Sequence, residues 1–176
     1  MHPLDKFRYC PVCGDKFDKS SWKSKKCVHC GFEYFINPSA ANVAIIHNER
    51  GELLVTRRKN APAQGTLDLP GGFCDLGETA EQSITREVKE ETGLKVTATR
   101  YLFSLPNTYC YSGLNIPTMD MFFACEVEST DNLLAADDAA ECLWMNPEYI
   151  DPSLFGLHSI SLGIKRYLND IDLKTK

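Results

Sequence analysis

The sequence predicts an α/β fold that is preceded by a small metal-binding module. Three observations support this prediction: two Cys-x-x-C motifs near the start, a capped amphipathic helix after a glycine-rich loop, and strand-like apolar segments before and after that helix. A length of 176 residues allows one domain with a small appendage. We therefore expect a metal-binding module at 1–36 and an α/β domain at 37–176.

The charge of the chain is unevenly distributed. The formal net charge is −5, but residues 1–36 contain seven Lys or Arg and four Asp or Glu, whereas the remainder contains twelve and twenty. No apolar run has the length of a membrane span, and the first residues lack the apolar core of a signal peptide. We therefore expect a cytoplasmic protein with no membrane partner, in which the eight cysteines are thiols or metal ligands.

Four cysteines predict the first module. Cys10 and Cys13 form one Cys-x-x-C pair, and Cys27 and Cys30 form a second after thirteen intervening residues. Two such pairs can place four thiolates tetrahedrally around one structural Zn²⁺. The alternatives are two disulfides or free cysteines. A segment of this length cannot fold on an apolar core alone. The metal would therefore stabilise it by on the order of 10 kcal/mol. His29 is predicted to be a spacer.

The α/β domain is predicted to begin with strands at 41–47 and 52–57, and a short strand at 65–72 then leads into the glycine-rich loop. Arg57 and Arg58 stand where the second strand ends. An arginine can grip two phosphate oxygens at once, which favours contact with a diphosphate. The alternative is a solvated charged loop.

The next element is a helix with signals at both ends. Thr79 is a good N-cap, and Gln82 three residues later completes a capping box. Gly93 follows the last turn, where a left-handed residue is usually needed. The helix is therefore predicted at 80–92. One face should pack on the core through Ala80, Ile84 and Val88.

Three glutamates of this helix crowd one strip of its surface. Glu87, Glu90 and Glu91 are related by helical spacings of three and four residues, at which like charges destabilise a helix by a few tenths of a kcal/mol per pair. A hard divalent cation such as Mg²⁺ would remove this repulsion, because it prefers carboxylate oxygens as ligands. The alternative is a solvated acidic face.

Residues 72–94 follow one continuous pattern: a glycine, five residues, a glutamate, seven residues, then Arg-Glu-apolar-x-Glu-Glu-x-Gly-apolar. The pattern positions are Gly72, Glu78, Arg86, Glu87, Val88, Glu90, Glu91, Gly93 and Leu94. This pattern is the Nudix box, and the chain resembles the Nudix hydrolase superfamily over roughly residues 40–150. The first module resembles the zinc ribbon of the NADH pyrophosphatase-like branch.

The resemblance implies an α/β/α sandwich with a mixed sheet. It also implies hydrolysis of the diphosphate linkage in a nucleoside diphosphate joined to another group, with about one to three Mg²⁺ or Mn²⁺ ions. Glu87 and Glu91 are the first expected metal ligands, and Glu90 would complete or bridge the site. The Gly71 carbonyl is a further implied ligand, and Gly72 lets the backbone approach the metal.

Two other residues of the box are expected to support these carboxylates. Arg86 can reach Glu90 one helical turn later and hold its carboxylate in place. Glu78 would close the loop on the helix or support the metal site from behind. The general base stays open between Glu90, Glu91 and Glu141, because families with the same box use different bases. Glu141 is expected in a loop just before a strand, where ordinary loop acidity is the alternative.

The remaining segments are predicted as strands at 96–105 and 119–127 with a long loop between them, and as a helix at 152–169. In the loop, Tyr109 and Tyr111 alternate about a cysteine and could stack on a base of the substrate. The alternative is a hairpin that packs its own aromatic rings.

The substrates left open are ADP-ribose, NADH or NAD⁺, another nucleoside diphosphate sugar and a nucleoside triphosphate. The resemblance of the ribbon favours ADP-ribose or a dinucleotide. NADH pyrophosphatases carry a Ser-Gln-Pro-Trp-Pro-Phe-Pro-x-Ser array downstream of the box, of which this chain keeps Ser104, Pro106 and Ser112. The incomplete array argues against a strict NADH preference. The resemblance further implies that the chain forms a homodimer.

A second hypothesis treats the chain as a binding module with little catalysis. The basic ribbon would bind nucleic acid or protein, and the other domain would sense a ligand. A balance of three positive charges over 36 residues is modest for a nucleic-acid partner, however, and an intact box argues for catalysis. We therefore expect a nucleotide-type small molecule as the partner rather than nucleic acid.

Overall fold

The computed structural model describes residues 2–17 and 19–174, with side-chain surroundings at 2–17 and 21–170. The strands in this part of the chain are β1 Lys19–Ser20, β2 Ser24–Lys26, β3 Glu33–Phe35, β4 Ser39–Ile45, β5 Leu53–Arg58, β6 Leu67–Asp68, β7 Gly71–Phe73, β8 Val96–Tyr111, β9 Leu114–Val127 and β10 Ala139–Met145. The α-helices are α1 Ala80–Thr92 and α2 His158–Lys174, and the 3-10 helices are Pro3–Asp5, Pro147–Tyr149 and Pro152–Leu154.

The chain divides into two compact units. The first consists of Met1–Ser39 and Thr108–Thr118, and the second of Ala40–Asn107 and Met119–Lys176. A single cut after residue 36 was expected from the sequence. The first unit instead includes a second segment, because the tip of the β8–β9 hairpin groups with the ribbon.

The strands form three sheets. β1, β2 and β3 make a small antiparallel sheet in the first unit. The other two sheets have the strand orders β10-β5-β6 and β7-β4-β9-β8. The ladders β10–β5, β5–β6 and β4–β7 are antiparallel, and an isolated parallel bridge joins Leu67 to Phe155.

Strand β4 is buried on both of its faces, and this places a helix on each side. Val43 and Ile45 lie in one apolar cluster, which also contains Ile160 and Ile164 of α2. The alternate residues of β4, Ala44 and Ile46 just beyond it, lie in a second cluster, which contains Ile84 and Val88 of α1. Successive strand residues point to opposite faces, so a continuous apolar run requires cover on both. The result is a layered α/β/α arrangement.

Helix α1 has the predicted boundaries and caps. The Thr79 hydroxyl accepts a hydrogen bond from the Gln82 N–H, and the Gln82 side chain accepts one from the Thr79 N–H at 2.9 Å. Gly93 adopts the left-handed conformation with φ 73°. Both ends of the helix are thus fixed by side chains or backbone within four residues, which explains why the sequence located them.

The prediction of a long loop between residues 105 and 119 is wrong. β8 and β9 continue through this segment and meet at Ser112 and Gly113, whose φ values of 49° and 74° are both positive. Positive φ at both central residues suits the tight turn of a two-residue hairpin. Pro106 is accommodated in β8 because this is an edge strand, in which alternate N–H groups point away from the sheet.

Two other boundaries differ from the prediction. The strand expected at 65–72 is divided into β6 and β7, because Pro70 lies between them and has no N–H to donate. The helix expected from residue 152 begins at His158 instead. The chain first makes a single 3-10 turn, and Phe155 then bridges to Leu67, which interrupts the helical path.

Candidate functional site

The most deeply buried acidic group of the box is the carboxylate of Glu91. Glu91 is 8% exposed, and its Oε2 accepts a hydrogen bond of 3.0 Å from the Gly71 N–H. Burial, with smaller contributions from the charges of Asp68 and Glu87, raises the pKa of the Glu91 carboxyl to about 8, although the hydrogen bond from the Gly71 N–H opposes the shift. A positive charge at this position would favour the ionised form.

Arg86 is the hub that holds the other carboxylates. Its guanidinium donates two hydrogen bonds to Glu78, of 2.8 and 2.9 Å, and one each to Glu87 at 2.8 Å and Glu90 at 3.0 Å. It also donates to the Phe73 carbonyl at 3.1 Å. The predicted contact between Arg86 and Glu90 is therefore present, and two further carboxylates share it. The fork geometry of a guanidinium permits this, whereas a lysine ammonium could not span all of these groups.

These contacts act differently on the carboxyl groups around Arg86. Hydrogen bonds from Arg86 lower the pKa of Glu78 to about 2, so this carboxylate stays ionised and fixes the loop that precedes α1. Burial raises the pKa of Glu87, although Arg86 opposes the shift. Glu90 is the most open of the three helix glutamates, with 47% of its side chain exposed.

Two glycines let the strand β7 approach α1 closely. A Cβ at Gly72 would lie 2.6–2.8 Å from the carboxyl group of Glu87 and would displace that carboxylate. A Cβ at Gly71 would collide with the backbone carbonyl of Asn42 on the neighbouring strand. Glycine is therefore required at position 71, and at position 72 it leaves room for the Glu87 carboxylate. The implied ligand role of the Gly71 carbonyl stays a prediction.

Arg58 is not displayed to solvent as a diphosphate ligand would be. Its guanidinium donates to the Asp68 carboxylate and to the Pro62 carbonyl, and only 14% of its side chain is exposed. Burial raises the pKa of Asp68 even though Arg58 opposes this shift. Asp68 also accepts the Leu69 N–H at 2.8 Å. The pair thus anchors the turn that carries Gly71. The contacts of Arg58 are with the protein itself, and they stabilise this turn.

Arg57 and Glu141 form an exposed ion pair. Arg57 Nε donates to Glu141 Oε2 at 3.0 Å, and the two residues are direct partners in the β5–β10 ladder. Glu141 was expected in a loop before the strand, but it lies inside β10. Its neighbour Cys142 packs in the cluster that contains α1, so alternation along the strand directs Glu141 to the other face. The role of Glu141 as base or ligand stays a prediction.

The acidic residues that do influence the helix carboxylates precede β10. The negative charge of Asp137 raises the pKa of Glu87, and that of Asp138 raises the pKa of Glu91, in both cases after burial as the larger cause. Lys59 holds this segment through bonds to the carbonyls of both aspartates, at 3.0 and 2.9 Å. These two aspartates were not among the site residues expected from the sequence.

Asp68 is a second site residue that the sequence did not reveal. A charged residue between two leucines, directly before the Pro-Gly-Gly of the box, is a signal that could have identified it, because a buried carboxylate requires a partner. Asn42 has a similar position. It is 1% exposed and its amide donates to Cys74 Sγ, while its Oδ1 has no hydrogen-bond partner among the described residues.

Tyr109 and Tyr111 alternate along β8 and belong to the first unit, with the hairpin tip. Tyr111 is 65% exposed, and Tyr109 is half-buried. The carboxylates of the box belong to the second unit. The stacking role of these two rings therefore stays a prediction.

The four cysteines of the first unit converge as predicted. Their sulfur atoms all lie within 4.8 Å of one another, with Cys10 and Cys30 at 3.6 Å and Cys13 and Cys27 at 3.6 Å. A tetrahedral Zn²⁺ with Zn–S bonds of about 2.3 Å requires sulfur separations of about 3.8 Å. The cluster therefore fits this ion, and His29 is not part of it.

Local turns build this cluster. Gly14 N–H donates to the Cys10 carbonyl at 2.9 Å, and Gly31 N–H donates to the Cys27 carbonyl at 3.0 Å. Both glycines have positive φ, of 79° and 77°. Each Cys-x-x-C pair is thus closed by the same turn, which only glycine adopts without strain.

The carboxylates of α1 are less tightly gathered than the sulfurs. Among the described residues, the four cysteines alone form a group of His, Cys, Asp or Glu ligand atoms within 4.8 Å. The oxygen donors of Glu87, Glu90 and Glu91 nevertheless have the chemistry that Mg²⁺ and Mn²⁺ prefer. The buried carboxyl of Glu91, whose pKa is raised, is a donor that a divalent cation would stabilise in its ionised form.

The model of the NUDIX domain family matches residues 37–162, which is more than half of the chain. The chain belongs to the Nudix family. The resemblance drawn from the box, the α/β/α class with its mixed sheet and the four-cysteine module ahead of it are confirmed. The enzyme class of the Nudix pyrophosphohydrolases is confirmed at the level of the family.

Curated relatives and solved structures point to the same family. The chain is 30% identical over 139 residues to the NAD-capped RNA hydrolase NudC of Shigella flexneri, covering 78% of this chain and 51% of the relative. It thus spans about half the length of the curated relatives it matches. A Nudix hydrolase from Nitrosomonas europaea is similar with a TM-score of 0.69 and 21% identity, over 93% of this chain and 91% of that one.

A third Nudix-containing protein shares the fold. It is a bifunctional NMN adenylyltransferase/ADP ribose pyrophosphatase from Francisella tularensis, with a TM-score of 0.58 and 22% identity, over 78% of this chain and 42% of that one. None of the described helices is both long enough and apolar enough to span a membrane.

Proposed function

We propose that this chain is a divalent-metal-dependent hydrolase that cleaves the diphosphate linkage of a nucleoside diphosphate joined to a second group. The observation that carries the proposal is the buried carboxylate of Glu91. It is held 3.0 Å from the Gly71 N–H, on a helix whose neighbouring glutamates are fixed by Arg86. A buried acidic group beside other acids destabilises the fold. Its presence therefore indicates a role in binding or catalysis.

Glu87, Glu90 and Glu91 would hold about one to three Mg²⁺ or Mn²⁺ ions, together with the Gly71 carbonyl. Bound ions of this kind supply charge stabilisation for the diphosphate and lower the pKa of the attacking water. The protein's own contribution is to fix the carboxylates before substrate arrives. Arg86 does this directly, and Glu78 does it by holding Arg86 with two hydrogen bonds.

Proton removal from the attacking water is assigned to Glu90 in this proposal. Its side chain is 47% exposed and its Oε2 is oriented by Arg86, so it can meet water while remaining fixed. Glu91 is nearly inaccessible and suits a ligand role. Glu141 is a weaker candidate, because its carboxylate is already paired with Arg57 on the other face of β10.

The proposed substrates are ADP-ribose and dinucleotides of the NADH or NAD⁺ type. The Francisella protein with this fold is named an ADP ribose pyrophosphatase, and the curated relatives are named NAD-capped RNA hydrolases. An RNA whose 5′ end carries NAD contains the same diphosphate between two ribonucleotide-like groups, so it is included. Of the two expected arginine contacts, Arg57 is the more exposed, at 40% of its side chain. It lies on the same face as Glu141, away from α1, so its contact with the diphosphate stays a prediction.

The test is product release from NADH, NAD⁺, ADP-ribose, NAD-capped RNA and the nucleoside triphosphates, with Mg²⁺ or Mn²⁺. Glu91→Gln should abolish turnover. Glu81→Gln is the matched control, because Glu81 is an exposed glutamate of the first turn of the same helix. Turnover of one diphosphate ester that disappears in Glu91→Gln alone supports the proposal. Equal turnover in both variants, or no turnover of any substrate, contradicts it.

The proposal also includes one structural Zn²⁺ on the four cysteines, a cytoplasmic location and a homodimer. All eight cysteines are free thiols, as a reducing compartment would keep them. Metal analysis of the purified protein tests the zinc, and light scattering on a size-exclusion column tests the dimer. Less than one zinc per chain, or a monomer at all concentrations, would contradict the corresponding part.

A further inference from the structure

Several aromatic side chains of the ribbon are exposed, Tyr9 and Phe35 among them, and three others border one face of its sheet. Phe7 is 40% exposed, Trp22 is 82% exposed and Tyr34 is 39% exposed. Large aromatic side chains stabilise a fold by burial, so a small module that displays several of them has another use for them. Their positions in the sheet show what else lies beside them.

Two lysines share the face of the sheet that carries these rings. Lys25 is the direct ladder partner of Tyr34, and its Nζ donates to the Phe7 carbonyl at 2.8 Å. The Phe7 ring meets the Tyr34 ring edge-on with centroids 5.4 Å apart. The Lys23 carbonyl accepts the Ile36 N–H at 2.9 Å, so the ladder extends to Lys23, two residues before Lys25 and therefore on the same face.

Trp22 completes this surface at the tip of the β1–β2 hairpin. The Lys23 ammonium lies 6.0 Å from the centroid of its ring, a cation–π separation. We define the aromatic–basic face as these five residues: Phe7, Trp22, Lys23, Lys25 and Tyr34. Flat rings and ammonium groups alternate across it.

The charge of the chain is concentrated where this face lies. Met1–Ser39 has seven Lys or Arg against four Asp or Glu, and Thr108–Thr118 has no charged residue, whereas the whole chain has a net charge of −5. The positive balance of this unit favours an anionic ligand. A ligand that matches the face needs repeated negative charges and flat apolar groups that are free to stack. Single-stranded nucleic acid has both, whereas a duplex hides the faces of its bases.

We propose that the aromatic–basic face binds single-stranded RNA. The choice of RNA rests on the proposed function, whose substrates are ribonucleotide derivatives. The sequence had argued against a nucleic-acid partner because the positive charge of this segment is modest. The ladder register that pairs Lys25 with Tyr34 supplies the aromatic–basic face, and it cannot be read from the order of residues alone.

The test measures fluorescence anisotropy of a short, labelled, 5′-hydroxyl single-stranded RNA with the full-length zinc-containing protein. This RNA contains no diphosphate, so its binding does not depend on hydrolysis, and failure of the proposed function would show only in the activity assay. Trp22→Ala should weaken binding about tenfold, because it removes one stacking platform. Tyr149→Ala is the control: this ring is 78% exposed but belongs to the second unit, and its loss should change nothing.

A second pair of variants tests the charges. Lys23→Ala should reduce the slope of log affinity against log salt by about 0.7, the value for one phosphate contact on a single strand. Lys26→Ala removes the same charge from the opposite face of β2 and should leave the slope unchanged. Trp22→Phe keeps a ring and should retain most of the affinity, which separates stacking from folding.

The proposal is overturned by any of several results. Equal slopes for Lys23→Ala and Lys26→Ala would mean that charge acts diffusely rather than through this face. Unchanged affinity in Trp22→Ala, at equal zinc content, would exclude stacking. Tighter binding of the duplex, or of single-stranded DNA with the same sequence, would exclude the proposed ligand.

Discussion

The two proposed metal-binding regions of this chain are built in opposite ways. In the ribbon, four donors lie within 4.8 Å of one another, and two local turns that end at Gly14 and Gly31 position them. In the box, the donors sit on one helix, and their neighbours come from β6, β7 and the segment before β10. In the first region the four ligands already surround one position. In the second region Arg86 fixes the carboxylates, but they do not yet surround a common point.

The difference follows from what each ion does. A structural Zn²⁺ must hold a small module together, so all of its ligands come from the protein and the site is closed. A catalytic divalent ion must also accept substrate phosphate and water, so its site stays open and binds fewer protein groups. Arg86 provides the charge balance that keeps the glutamates in position until cations bind.

The largest effect is expected from breaking the closed site. Cys27→Ser removes a ligand whose side chain is fully buried, and the ribbon should lose its zinc and its ordered structure, since the metal contributes on the order of 10 kcal/mol to such modules. Zinc content and amide NMR dispersion of the ribbon measure this. Cys110→Ser, an exposed cysteine of the same unit outside the cluster, should keep one zinc per chain. Equal zinc in both variants would contradict the assignment.

The next largest effect concerns the open site. Glu91→Gln should lower kcat/KM by about 10²- to 10⁴-fold, because a bound divalent ion contributes several kcal/mol of transition-state stabilisation and each 1.36 kcal/mol is about a factor of ten. The fold should survive, because glutamine can still accept the Gly71 N–H. Steady-state kinetics with added Mn²⁺ and a thermal midpoint measure both. A variant that loses activity only because it unfolds would show a large drop in the midpoint, and this would remove the support for a catalytic role.

The third prediction compares the stability lost when a buried ion pair and an exposed ion pair are broken at adjacent arginines. Arg58→Ala leaves the Asp68 carboxylate buried without its guanidinium and should reduce the free energy of unfolding by about 3–5 kcal/mol. Arg57→Ala breaks an exposed pair and should change it by less than about 1 kcal/mol. Chemical denaturation measures the difference. If Arg57 contacts substrate, Arg57→Ala will raise KM. Similar unfolding free energies for the two variants would show that buried Asp68 does not depend on Arg58.

What the sequence predicted correctly is local in the chain. The caps of α1 and the Cys-x-x-C turns are decided by residues within four positions of one another, so Thr79, Gln82 and Gly93 were sufficient to locate the helix. The donor types followed from the same short patterns. Such features are set before any tertiary packing occurs, and a single sequence therefore reveals them.

What the sequence did not predict depends on contacts between distant segments. The partner of Arg58 is ten residues away on another strand, and the partner of Arg57 is eighty-four residues away. Alternation along β10 decides that Glu141 faces away from α1, but this required knowing which neighbours of the strand are buried. The hairpin through Pro106 was missed for a different reason, because an edge strand tolerates a residue that a central strand excludes.

The smallest effect is the pH dependence that Glu91 gives to the box, which from about pH 6 to 8 amounts to at most about 3 kcal/mol. The pKa of Glu91 in the folded chain is about 8, above its unfolded value of about 4.3, so the folded state binds this proton more tightly. Without added divalent cation, the free energy of unfolding should therefore fall as pH rises between about 4.3 and 8, by at most about 1.4 kcal/mol per pH unit. Burial raises the pKa values of Glu87 and Asp68 as well, and these shifts have the same sign. The lowered pKa of Glu78 contributes a dependence only below about pH 4.3.

Thermal midpoints at pH 6, 7 and 8 check this dependence, since those values lie inside the window. Glu91→Gln should flatten most of the slope, and Mg²⁺ at pH 8 should restore stability to the parent chain but not to the variant, because the cation binds the ionised carboxylate. Glu81→Gln should keep the parent slope. A parent and a Glu91→Gln variant with the same slope would show that Glu91 is ionised in the folded chain throughout this range. The dipoles of the box would then already compensate the charge of Glu91 without a bound cation. In that respect the box would resemble the four-cysteine site.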